Sequence, residues 1–247
     1  MPQPAPPPPA RRRPSPWGWL VAGSAAAIGA AAAVLVVWWI ASEETRVASY
    51  SVRGSLNGIT LDLAEADADI VGGADGGVSV RRTDRFAFGH DAEARRVVSG
   101  GVLRITSRCP ETVFGSCSAR YRLSVPDNVP VTIRTEAGDV RISRFRGSAR
   151  IDTTAGDIAV GAFCGFALQA RAETGDVRAD TACPLDRLEL RSATGNVSVT
   201  VPPGRYRVDA DSDTGRREVR GLESADDAPF QIQALSGEGN VDVEASR

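Results

Sequence analysis

The chain has 247 residues, 42% of them hydrophobic but only 6% aromatic, with 25 glycines and 15 prolines. Its 29 basic residues are all arginine, set against 31 acidic residues and one histidine, for a net charge of −2. That length holds one sizeable core or two small ones, built mainly from Val, Ile, Leu and Ala, and so mixed a surface lacks the basic footprint of a nucleic-acid binder; nucleic acid is excluded as a partner.

Residues 1–16, "MPQPAPPPPARRRPSP", read as an extended, disordered tail of the polyproline II type. It is either a solvated stub or a docking peptide for a cytoplasmic partner. Residues 17–41, "WGWLVAGSAAAIGAAAAVLVVWWIA", carry no charge, and at about 1.5 Å per residue they match the roughly 30 Å hydrocarbon layer. Trp17 and Trp19 stand at one end and Trp38 and Trp39 at the other, where indole rings prefer the interfaces. The segment is predicted to be a transmembrane helix. Arg11, Arg12 and Arg13 precede it and Glu43 and Glu44 follow, so the N-terminus is expected in the cytoplasm and the rest outside the cell membrane. A cleavable signal peptide is the rival. Cleavage after Ala41 would leave Trp39 where a small residue is needed, which favours an uncleaved anchor. Ala25, Gly29 and Ala33 share one helix face, a weak helix-pairing signal.

Residues 42–50 are expected to be a linker and 51–247 an extracellular β-solenoid. In its irregular part, 51–134, "GITLDLAEADADIVGG", "GGVSVRR", "GGVLRITS" and "YRLSVP" alternate like strands. Between them "RFAFGHDAEARR" reads as a surface loop, in which His90 is more readily solvated than catalytic. These stretches are expected to be early coils covering the open end of the solenoid, since terminal repeats are atypical.

Residues 135–244 are regular. Gly138-Asp139-Val140, Gly156-Asp157-Ile158, Gly175-Asp176-Val177 and Gly195-Asn196-Val197 recur, followed by the degenerate Gly215-Arg216-Arg217 and by Gly239-Asn240-Val241. The steps between glycines run from 18 to 24 residues, a period that signals a repeat architecture. Apolar residues alternate after each corner, as in Val140 and Ile142 or Val197 and Val199, so every unit is two short half-buried strands. No helical period appears outside the apolar span. The expected fold is therefore all-β, a right-handed parallel solenoid of about nine coils, some 45 Å long at one strand spacing per coil.

Glycine takes positive φ without steric cost and Asp or Asn accepts hydrogen bonds from nearby N–H groups, so the dipeptide suits a tight corner. Stacked corners would align Asp139, Asp157, Asp176, Asn196, Arg216 and Asn240 in a column. Three adjacent carboxylates invite a calcium reading, but the column turns to Asn and Arg and the period is not that of calcium-binding repeats. Turn capping is favoured and no metal is expected.

The four cysteines follow the same register. Cys164 lies eight residues after Gly156 and Cys183 eight after Gly175, so they occupy one place in neighbouring coils, within disulfide reach. Cys109 and Cys117 would close "CPETVFGSC" as a second disulfide. Zinc is the alternative, at spacings that fit no common zinc module.

The order "ADADIVGG", "GVLRIT", "YRLSVPDNVPVTIRTEAGDVRIS" and then trailing Gly-Asp-Val units resembles the bacterial putative-adhesin family of β-solenoid domains on a single membrane anchor, over nearly all of residues 50–244. The resemblance implies adhesion and brings no catalytic residues with it. The chain has no nucleophile elbow, no P-loop and no dinucleotide fingerprint. No catalytic residue and no cofactor is expected. The expected function is a non-catalytic, membrane-anchored surface module that binds an extracellular polymer or protein. The alternatives are an envelope sensor signalling through its span and tail, and a glycan-active β-helix enzyme using clustered carboxylates.

Overall fold

The computed structural model describes residues 43–87, 91–110 and 116–246. The tail, the expected membrane helix and His90 lie outside them. Among the described residues no helix is long and apolar enough to cross a membrane.

Each regular coil is a pair of strands that bends at its Gly-Asx corner, the first strand joining a front sheet and the second a back sheet. The pairs are β7 (Val131–Ala137) and β8 (Val140–Ser143), β9 (Ala149–Ala155) and β10 (Ile158–Phe163), β11 (Ala167–Thr174) and β12 (Val177–Thr181), and β13 (Arg187–Thr194) and β14 (Val197–Val201). Further along follow β15 (Arg205–Ser212) with β16 (Arg217–Arg220), the short β17 (Glu223–Ser224), and β18 (Phe230–Glu238) with β19 (Val241–Ala245). Equivalent residues pair in parallel, so that Val140, Ile158, Val177, Val197 and Val241 form one inward file on the back sheet. Ile133, Ile151, Ala170, Leu190, Ala234 and Ala210 form one on the front. All of these side chains are buried. Each large aliphatic among them contributes about 1.5–3 kcal/mol, too little for a lone coil to offset the ordering of its backbone. Stability therefore comes from stacking.

The stacking does not follow the chain. β2 (Gly58–Gly72) is one long strand whose first half lies in the front sheet and second half in the back. It sits between β5 (Val102–Arg108) and β7 in front and between β6 (Cys117–Val125) and β8 behind. At the other end β18 pairs with both β13 and β15, and β19 with both β14 and β16. The last coil in sequence is thus inserted beneath the one before it. From end to end the levels are β5–β6, β2, β7–β8, β9–β10, β11–β12, β13–β14, β18–β19 and β15–β16.

These eight parallel levels replace the nine sequential coils expected. Antiparallel strands flank the first level: β4 (Glu93–Ser99) on β5 and β3 (Gly77–Ala87) on β6, with β1 (Glu43–Arg53) on β3. Two sequence expectations are corrected here. The linker at 42–50 is mostly strand, because Tyr50 and Val52 of β1 pack against the core. The supposed loop "RFAFGHDAEARR" is largely the end of β3 and the start of β4, with Phe86, Ala87 and Ala92 buried. β4 and β5 form a hairpin through Gly100 (φ 59°) and Gly101 (φ 77°), the left-handed pair that such two-residue turns require.

Candidate binding surface and the corner column

The corners are built alike. Gly138, Gly156, Gly175, Gly195 and Gly239 have φ between 136° and 149°. A Cβ on Gly156 would strike the carbonyl oxygen of Gly138, one on Gly175 that of Gly156, and so on up the stack. The coils therefore approach through their glycines, and only glycine fits.

Beside them the Asx side chains form a one-way ladder. The N–H of Asp139 donates to Oδ1 of Asp67 at 3.1 Å, that of Asp157 to Asp139 at 3.1 Å, and that of Asp176 to Asp157 at 2.8 Å. The ladder continues from Asn196 to Asp176, Asn240 to Asn196 and Arg216 to Asn240, at 2.9–3.0 Å. Each side-chain oxygen satisfies the one corner N–H of the next coil that the sheet leaves unpaired. The column order differs from the sequential one: Asn240 precedes Arg216 because their coils are interleaved. Arg216, last in the file, has no coil above it to serve, which explains why an acceptor is missing there.

Asp67 at the other end was missed by the sequence reading, because Ala66 stands where the motif has glycine. The legible signal was an acidic residue followed by alternating Ala68 and Ile70. Oδ2 of Asp139 and Asp176 is taken by Arg141 and Arg178, at 3.2 and 2.6 Å. Among the described residues no three His, Cys, Asp or Glu side chains are grouped to hold a metal ion.

Both disulfides are formed. Cys164–Cys183 joins neighbouring coils with Cα atoms 5.1 Å apart, and Cys109–Cys117 closes the crossing from β5 to β6 at 5.8 Å.

On the outer face of the front sheet a groove of about 910 Å³ runs along the stack beside the corners. Its floor is the in-register file Asp62, Arg134, Asp152, Arg171, Arg191 and, past Leu235, Asp211. Charges of opposite sign follow one another from Asp62 to Arg171 at about one strand spacing of 4.8 Å, and the adjacent Arg171 and Arg191 share the carboxylate of Glu189. A hydrogen-bonded network braces this file from the side. Arg150 donates to Gln169, Gln169 to Glu189, and Gln233 to Asp209, at 2.6–2.8 Å. Arg171 and Arg191 both reach Glu189, at 2.7 and 3.0 Å. Burial of Glu189 opposes its ionisation, but the bonds from Arg171 and Gln169 and the charges of Arg171 and Arg191 outweigh it, holding its carboxyl below the usual value. The groove therefore presents preoriented guanidinium and carboxylate groups along its length.

The Toastrack DUF4097 family matches residues 123–246. No curated protein matches the chain. Among solved structures, a putative cell adhesion protein from Clostridium sporogenes is similar at 10% identity with a TM-score of 0.51, over 82% of this chain and 100% of that one. A putative adhesin from Bacteroides fragilis is similar at 12% identity with a TM-score of 0.48, over 82% of this chain and 97% of that one.

Proposed function

The chain belongs to the Toastrack DUF4097 family, and on that premise we propose that it is a non-catalytic interaction module of the cell envelope. In this reading a single span over residues 17–41 anchors it in the cell membrane with the N-terminus cytoplasmic, and a right-handed solenoid outside binds an extended polymer or protein. The groove on the front sheet carries the proposal: it crosses successive levels without a break and offers ion-pairing groups at the repeat of the sheet. Two disulfides support an oxidising, extracytoplasmic setting. The adhesive role attributed to the Clostridium sporogenes protein agrees with this reading.

The test is cosedimentation of the full chain, in detergent, with isolated cell walls, compared with an Arg134→Glu/Asp152→Arg variant whose exchanged side chains are solvent-facing. Saturable binding, weakened at least tenfold by the charge exchange, is expected. Equal binding by the variant would remove the groove from the proposal, and no binding by the natural chain would remove the interaction module itself.

A further inference from the structure

A second surface is basic on balance, with Arg81, Arg85, Arg120 and Arg122 set against Glu65, Asp67 and Asp69. On the outer face of the back sheet β3 and β6 run antiparallel, placing Arg81 directly opposite Arg122, Thr83 opposite Arg120 and Arg85 opposite Ser118. With Glu65 and Asp67 these residues line a depression of about 480 Å³. Arg120 is paired with Asp67 and Arg122 with Asp69, both at 2.8 Å. Arg81 and Arg85 are exposed and, among the described residues, have no carboxylate within ion-pair reach.

Like charges directly across a strand pair are destabilising, and they persist where an anion compensates them. The guanidiniums of Arg81 and Arg85, four residues apart on β3, point the same way, since side chains alternate along a strand. Between them Thr83, with Ser118 opposite Arg85, adds hydroxyl donors to the same face. Arginine forks match the oxygens of phosphate in bidentate fashion. We propose that this depression is a binding site for phosphate-bearing anions, with Arg81 and Arg85 supplying the uncompensated charge and Arg120 and Arg122 held in place by Asp67 and Asp69. It is separate from the front groove, lying on the opposite sheet, and does not depend on that groove binding anything.

A phosphate group could come from a lipid headgroup or from a soluble phosphate chain. The experiment uses the full chain in a non-ionic detergent, titrated with inorganic tripolyphosphate and, separately, with mixed micelles containing phosphatidylglycerol or phosphatidylcholine. Arg81→Ala/Arg85→Ala is compared with Arg146→Ala/Arg187→Ala, which removes the same charge from exposed positions elsewhere, and thermal unfolding of each confirms the fold. The expected result is saturable binding of tripolyphosphate, of phosphatidylglycerol micelles, or of both, with affinity falling at least tenfold in the first variant and less than twofold in the second. Binding confined to phosphatidylglycerol assigns the headgroup as the source, and binding of tripolyphosphate assigns free phosphate. Failure to bind either probe, or equal losses in the two variants, overturns the site.

Discussion

At the scale of single residues the corner column separates two roles that share a dipeptide. Glycine is needed for its missing Cβ, because the neighbouring carbonyl fills that space. Asp is needed for an oxygen, and Asn196 and Asn240 show that an amide serves as well. Asp157→Asn is therefore expected to leave stability nearly unchanged. Asp157→Ala strands the N–H of Asp176 and costs about 1–2 kcal/mol, and Gly156→Ala costs at least about 3 kcal/mol by pushing two coils apart. Urea titrations of the three variants check this, and equal losses for the two Asp157 variants would mean that the ladder contributes nothing. Glu189 makes a pH prediction. Its carboxyl titrates lower folded than unfolded, so it contributes stability that is complete above the unfolded value of about 4.3 and is lost as pH falls through the folded value. Glu189→Gln is expected to be less stable at neutral pH and to show a shallower decline in urea midpoint below about pH 4.3. An unchanged decline would place the acid sensitivity elsewhere.

At the scale of elements, the disulfides were readable because both depend on local spacing: Cys164 and Cys183 share a place in adjoining repeats, and Cys109 and Cys117 bracket one crossing. The repeat strands were readable for the same reason, since alternation after each glycine fixes which face is buried. What was not readable were elements that pair without repeating. β1 has few large apolar residues, so a strand that docks on an edge through Tyr50 and Val52 looked like a linker. The charged run in β4, Glu93–Arg96, looked like a loop, because an edge strand with every side chain exposed shows no alternation. The groove and the arginine depression were equally hidden, as both arise between strands distant in sequence. Opening Cys164–Cys183 by Cys→Ser exchange at both positions releases a loop of 19 residues and should cost about 3 kcal/mol, slightly more than opening the shorter Cys109–Cys117 loop. Thermal or urea unfolding of the two double variants measures this, and the reverse ranking would show that contacts at the crossing, rather than loop length, set the value.

For the whole molecule, the interleaved ends change what holds the solenoid together. A sequential stack can lose its last coil and keep the rest, because each repeat touches only its neighbours. Here the final coil, β18–β19, is the floor on which β15–β16 rests, and Tyr206 of β15 meets Phe230 of β18 at 6.0 Å between ring centres. In the folded chain β15–β16 therefore lies one level beyond β13–β14, and the last coil in sequence fills the level between them. At the opposite end β2 likewise fills the level between β5–β6 and β7–β8. Near both ends the second level is a segment inserted from elsewhere in the chain, so each terminal level is tied to the stack through a strand distant from it in the sequence. Ending the chain at residue 229 should accordingly release residues 205–220 as well, lowering their amide-exchange protection to that of an unstructured segment while residues 131–201 stay protected. Protection retained over 205–220 would mean that β15–β16 docks directly on β13–β14, and that the inserted coil is an ornament of the stack and not its keystone.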